Sequence, residues 1–184
     1  RGELDGVSLL NDLEVWEPAT NPMNAYSTIR KDLDLQELGF AYNFAERMHE
    51  ATGNEIGMVV NARGGSNISS WTEGDEDAYF EEAYQRLLIA LSLPNTTFKG
   101  ILWHQGESNR NSSSYLTNLE NFINAWRDRM NMPNMPFIAG QISQLRESNE
   151  TFNENILRLP ELVANTGVAT TEGFNAPDLT HFDS

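Results

Sequence analysis

Gly100-Ile101-Leu102-Trp103-His104-Gln105-Gly106-Glu107-Ser108-Asn109 decides how the rest of the chain is read. Ile101, Leu102 and Trp103 form a short apolar run of the kind that makes a buried strand. The character then changes within one residue to His104, Gln105, Glu107, Ser108 and Asn109, with Gly106 letting the backbone turn. Behind this stretch Ser112, Ser113 and Ser114 open a long amphipathic helix. Strand, glycine-containing polar turn and helix in succession mark the place where open α/β sheets put ligands, at the carboxyl end of a parallel strand. A polar loop that only caps the next helix has the same outline, so the other strand ends must be weighed with it.

Outward from this stretch, Glu55 to Asn61 carries Ile56-Gly57-Met58-Val59-Val60 and empties into Arg63-Gly64-Gly65-Ser66-Asn67. Pro136 to Ile142 carries Phe137, Ile138 and Ala139 and runs into the polar residues Gln141 to Arg146. Helical spacing predicts helices over Leu38 to Ala51 (Phe40, Ala41, Phe44, Ala45, Met48), ended near Gly53, and over Asp75 to Leu93 (Phe80, Ala83, Tyr84, Leu87, Leu88, Leu91). Two more are predicted from about Ser113 to Met130 (Leu116, Leu119, Phe122, Ile123, Trp126) and around Asn153 to Asn165, before a weak strand from Gly167 to Thr170. His49 is expected on a solvated helix face. Residues 1–35, rich in turn signals, read as an ordered surface excursion holding Trp16, Met23 and Tyr26. The alternation predicts an α/β three-layer sandwich with a doubly wound parallel sheet. The strands near 56–61, 99–104 and 136–141 are expected as parallel neighbours with their polar loops on one edge.

At 184 residues the chain fits one domain with a sizeable core. Acidic residues outnumber basic ones 27 to 12, for a net charge of −15. Such a surface repels phosphate backbones and anionic lipid, so no nucleic-acid or membrane partner is expected. No apolar run is long enough to span a bilayer, and no cysteine is present for disulfide or thiolate chemistry. The start at Arg1 shows no signal peptide and reads as internal or processed. The Asn-x-Ser/Thr sequons at Asn67, Asn95, Asn111 and Asn149 are read as coincidence in a chain rich in these residues.

Three loops are expected on the same sheet edge: Arg63 to Asn67, His104 to Asn109, and Asp178-Leu179-Thr180-His181. An Asp three residues before a His can hold one imidazole nitrogen and stabilise the imidazolium formed when the other accepts a proton. Glycine turns supply backbone N–H groups of the oxyanion-hole kind, and Gln105 adds a side-chain amide donor. Arg63 either holds a substrate carboxylate or ties its loop down. His104 and Glu107 supply two metal-type ligands without a third, so no metal is expected.

GILWHQGESN resembles the W-x-Q-G-E-[S/A]-[D/N] block of the SGNH-type sialate O-acetylesterase and acetylxylan esterase family, similar to carbohydrate esterase family 6. Asn61-Ala62-Arg63-Gly64-Gly65-Ser66 is similar to its Gly-Gly-[Ser/Thr] block, with Trp71 following, and Asp178-Leu179-Thr180-His181-Phe182 to its D-x-x-H-F block. Asn21-Pro22, Ser27-Thr28-Ile29-Arg30-Lys31-Asp32-Leu33 and Ala41-Tyr42 with Phe44-Ala45 also resemble family members, so the likeness spans nearly the whole chain. It implies a flavodoxin-like fold and cofactor-free hydrolysis of sugar acetyl esters through a serine nucleophile, by a secreted or periplasmic protein. Carried over, His181 is the general base and Asp178 orients it. Gln105 and a backbone N–H of Gly65 bind the oxyanion, and Glu107 either partners the histidine or braces Gln105. Arg63, Ser66 and Asn109 are placed for substrate binding.

The departure concerns the nucleophile. The family carries it in a G-Q-S-N block at the end of its first strand, and no such block occurs in residues 1–184. The resemblance therefore places the serine upstream of Arg1, with the first strand, and a closing helix beyond the histidine. Ser66 and Ser108 sit in suitable loops without the expected motif. A relative that keeps the scaffold for carbohydrate binding without catalysis is the competing reading. A mononucleotide binder fits less well, because no loop has a phosphate-cradling run.

Overall fold

A computed structural model of the chain describes residues 2–29 and 39–183. Arg1, the stretch Arg30-Lys31-Asp32-Leu33, Leu38 where a helix was expected to begin, and Ser184 lie outside the described residues. The chain divides into two compact units, residues 1–64 with 81–98 and residues 65–80 with 99–184.

The first unit contains two strands in the region expected to be a surface excursion: β1 (Val7–Leu10) and β2 (Trp16–Pro18). They pair antiparallel, with Leu9 opposite Glu17. Four residues of Val-Ser-Leu-Leu between turn signals are too few for a periodic pattern, and burial rather than propensity makes them a strand. Helix α1 (Phe40–Thr52) follows and ends as expected, with Gly53 left-handed and its N–H on His49 O. Strand β3 (Ile56–Met58) then pairs parallel with β1, giving the order β2-β1-β3. Leu4, Val7, Leu9, Ala19, Met23, Tyr42 and Ala45 form the core of this unit. The apolar stripe expected to face inward on α1 is corrected: Tyr42 and Ala45 are buried, whereas Phe40, Phe44 and Met48 are exposed. His49 is not simply solvated. Its Nδ1 lies 2.7 Å from Asn54 O, and its ring lies against Gly6.

Helix α2 (Tyr79–Ser92) begins four residues later than the spacing predicts. Turns closed by Asp75 N–Thr72 O and Ala78 N–Asp75 O, with Ala78 left-handed, delay its first turn. Leu87 and Ala90 are buried, Arg86 donates to Leu10 O at 2.9 Å, and Leu88 is exposed rather than on the buried face.

The second unit holds the parallel sheet β4 (Ile101–Trp103), β5 (Phe137–Gly140) and β6 (Thr166–Ala169), in that order. Trp103 pairs with Ala139, and Ala139 with Val168. β4 and β5 are thus parallel neighbours as expected, while the ladder partner of β3 is β1. Helix α3 (Tyr115–Met130) buries Leu119, Phe122, Ile123 and Trp126. Phe122 packs against Trp103 (ring centroids 4.6 Å) and Phe137 (6.1 Å). Phe137 and Ala139 face this core; Ile138, expected to be buried, is exposed by strand alternation. The helix expected over 153–165 is two short ones, α4 (Glu150–Ile156) and α5 (Leu159–Leu162), because Pro160 is tolerated only in a first turn.

Candidate active site

The tip of β4 meets the segment 65–71 through a set of hydrogen bonds that begins on Gln105, a buried residue. Its Nε2 donates to Ser66 O at 3.0 Å and to Asn109 Oδ1 at 2.8 Å. Asn109 Oδ1 also accepts from Ile68 N, and Asn109 Nδ2 donates to Asn67 Oδ1. Ser108 Oγ donates to Gly65 O at 3.2 Å. These contacts clamp the Gly65–Ile68 turn to the end of the strand.

From below, Tyr115 Oη donates to Gln105 O at 2.6 Å and accepts from Trp103 Nε1 at 3.2 Å. Burial pushes the Tyr115 hydroxyl far above the usual phenol range, so it stays a donor at any working pH. Trp71 packs edge-on against Trp103 at 5.2 Å, and its Nε1 donates to Ser66 Oγ at 3.0 Å. Two glycines are required here. Gly65 is left-handed (φ 70°). Gly106 touches Phe152 so closely that a Cβ would lie 2.2 Å from that ring, so close packing rather than turning demands a glycine there.

A second group of residues surrounds the exposed loop at Asp178. Asp178 Oδ2 lies 2.6 Å from His181 Nδ1, while Asp178 Oδ1 accepts from His181 N at 2.7 Å and Thr180 N at 2.9 Å. The His181 backbone N–H, its ring and the Thr180 N–H together hold the Asp178 carboxyl well below the usual carboxylate range. The carboxylate therefore fixes Nδ1, and among the described residues Nε2 of His181 takes no hydrogen bond. The His181 side chain is 80% exposed. Arg146 Nη2 reaches this loop from the segment that follows β5, donating to Thr180 Oγ1 at 3.1 Å. The Phe182 ring sits 5.8 Å from that of His104, whose Nε2 lies 3.1 Å from Gln141 O.

Of the expected site residues, Gln105, Gly65, Ser66 and Asn109 are brought together, and Asp178 with His181. Both Gln105 amide hydrogens are occupied by protein acceptors, which is the arrangement of a brace. Asn109 has the same character. Glu107 Oε2 accepts from the Gly106 N–H at 3.1 Å, so Asp178 is the carboxylate at the histidine. Ser66 Oγ and Ser108 Oγ are engaged with Trp71 and Gly65. Arg63, in the first unit, donates to Ile29 O at 3.2 Å, a loop tie. Sequence reasoning missed Tyr115 and Arg146. Tyr115 opens the helix behind the decisive loop; Arg146 closes the polar run after β5, and its position there was the available signal.

A family model described as carbohydrate esterase, sialic acid-specific acetylesterase, matches residues 3–184. A probable carbohydrate esterase of Arabidopsis thaliana is 27% identical over 150 residues, covering 72% of this chain and 54% of that protein. The chain thus spans about half the length of this curated relative. The X-ray structure of an Arabidopsis thaliana protein superposes with a TM-score of 0.83 at 23% identity, over 96% of this chain and 73% of the other. NanS superposes at 0.68 and 17% identity, over 96% and 73%. A carbohydrate acetylesterase from Xanthomonas citri superposes at 0.63 and 23% identity, over 89% and 39%. At these identities the structures establish a shared fold.

Proposed function

Because the chain belongs to the sialic acid-specific acetylesterase family of carbohydrate esterases, we propose that it hydrolyses O-acetyl esters on sugars, of the sialic acid or xylan type, by a serine–histidine–aspartate mechanism. The observation that carries this reading is the Asp178–His181 pair, with Nδ1 held at 2.6 Å and Nε2 turned to solvent. A serine Oγ attacks the acetyl carbonyl while His181 Nε2 takes its proton, and Asp178 stabilises the imidazolium. The proton returns to the departing sugar oxygen, and water then cleaves the acetyl-serine with His181 again as base. The Gly65 N–H takes no hydrogen bond among the described residues and is the proposed oxyanion donor. Gln105 and Glu107 brace that turn in this reading. The serine itself is the one the family carries in its G-Q-S-N block.

A flavodoxin-like, doubly wound three-layer arrangement belongs to the same reading, supported by the parallel ladders and the TM-score of 0.83. So does export, which rests on family resemblance. Among the described residues no helix is long and apolar enough to cross a membrane. The test is acetate release by the full-length protein from O-acetylated N-acetylneuraminic acid and from acetylated xylo-oligosaccharide. Release from either is the expected result. A folded full-length protein that releases none from both is not such an esterase.

A further inference from the structure

Beside the braced turn lies an open cavity of about 540 Å³ lined by polar residues, whose exposed surface is mostly polar. Its lining includes Asn67, Glu107, Arg110, Asn111, Ser114 and Asn118. Its floor is preorganised, since Asn109 ties Asn67 Oδ1 and Ile68 N to the strand end. Several of its lining groups are uncommitted: among the described residues the Asn111 and Asn118 side-chain amides, the Arg110 guanidinium and Glu107 Oε1 form no hydrogen bond. One carboxylate and one guanidinium leave the cavity formally neutral in a chain of net charge −15.

This chemistry selects its ligand. Amides and hydroxyls both donate and accept, which matches the alternating demands of sugar hydroxyls, and a carboxylate accepts from two neighbouring hydroxyls at once. An acyl chain finds no apolar side chain to pack on, and a polyanion finds a single cation against a strongly acidic background. We propose that this cavity is a glycan subsite that holds a neutral sugar ring beyond the acetylated one. The substrate is then a neutral acetylated oligosaccharide rather than a free acidic monosaccharide. This rests on the esterase reading above.

Two measurements on the full-length protein decide it. The first is NMR titration of the wild type with xylotetraose, which carries no acetyl group and needs no catalysis. Amide shifts confined to residues 107–118 and Asn67 are expected; no shift, or shifts only elsewhere, overturns the subsite even if the protein proves to be an esterase. The second compares wild type with Asn118→Leu. KM for acetylated xylo-oligosaccharide should rise about fivefold, the loss of roughly one hydrogen bond, with kcat and 4-nitrophenyl acetate turnover unchanged. An unchanged KM in a folded variant also overturns it. If Asn118→Leu does not fold, Asn111→Leu, also in the lining, replaces it with the same expectation. Binding of N-acetylneuraminic acid at the same residues that is lost in Arg110→Gln, without binding of xylotetraose, overturns the neutral assignment. Failure of acetate release with intact xylotetraose binding removes the esterase reading and leaves the subsite standing.

Discussion

Two loops of the second unit carry the proposed chemistry and are built in opposite ways. Gln105, Gly106 and Asn109 at the tip of β4 are buried, cross-linked to the Gly65–Ile68 turn and underpinned by Trp103 and Tyr115. The Asp178–His181 loop is exposed and holds its shape mainly through bonds between residues three apart or closer. A group that must be a fixed donor benefits from burial, where each bond is stronger and reorganisation is small. A group that must take and return a proton benefits from solvent, where either charge state is tolerated. The contrast predicts that substitutions in one loop cost stability, and in the other cost turnover.

The largest effect is expected at His181. His181→Ala in the full-length protein should lower kcat at least about 10³-fold, since members of the proposed triad would act as a unit. Thermal stability should hardly change, because the side chain is exposed and its contacts are local. Near wild-type turnover would remove His181 from the mechanism. A large drop in melting temperature would show that the two loops are not built differently after all.

Gln105 tests the other half. Gln105→Ala leaves Ser66 O and Asn109 Oδ1 without their donor inside a buried network, at a cost of about 1–3 kcal/mol. For a chain of this size that is roughly 2–12 °C in melting temperature. Turnover should fall as the Gly65 turn loosens, and Gln105→Glu should be worse, since it sets a charged acceptor against two acceptors. If Gln105→Ala keeps its melting temperature yet loses about 10²- to 10³-fold in kcat, then its amide serves the oxyanion directly.

What the sequence showed and hid follows the same division. Long amphipathic helices and apolar runs placed α1, α2, α3 and β3 to β6, because periodicity is a local signal, even though Phe40, Phe44, Met48, Leu88 and Ile138 are exposed where it predicted burial. Val7–Leu10 was illegible since four residues carry no period, and its strand state depends on pairing with residues far along the chain. The Asp178–His181 contact was legible because its geometry is local, fixed by three-residue spacing. The double engagement of Gln105 was not legible, because its acceptors depend on how a distant turn docks. Tyr115 escaped for the same reason: at the start of a helix it looks like any core aromatic.

A smaller effect should separate local from long-range support in the exposed loop. Arg146 Nη2 to Thr180 Oγ1 joins that loop to the segment that follows β5. Arg146→Met and Thr180→Val should each lower kcat by roughly three- to fivefold, with KM and melting temperature nearly unchanged. The double variant should lose no more than either single one, because both remove one bond. Additive losses would mean that the residues act independently and that the loop stands alone.

The smallest effect is one of pH, and it isolates the loop's internal order. Asp178 has its carboxyl held below the ordinary value of 3.8, first by the His181 N–H, then by the His181 ring and the Thr180 N–H. A depressed carboxyl favours the folded loop above its ordinary value, and that preference is lost only as pH falls through the lower, folded value. From neutral pH down to about 4 the Asp178 carboxyl should therefore stay ionised, and the downfield amide shifts of Thr180 and His181 should persist. They should collapse together in more acid solution, while amides of Ile68 and Asn109 in the braced network stay put. An Asp178 carboxyl carbon that titrates near the ordinary value of 3.8, while the Thr180 and His181 amides do not respond to it, would show that these hydrogen bonds do not persist in solution. The proposed Asp178–His181 pair would then need substrate to assemble it.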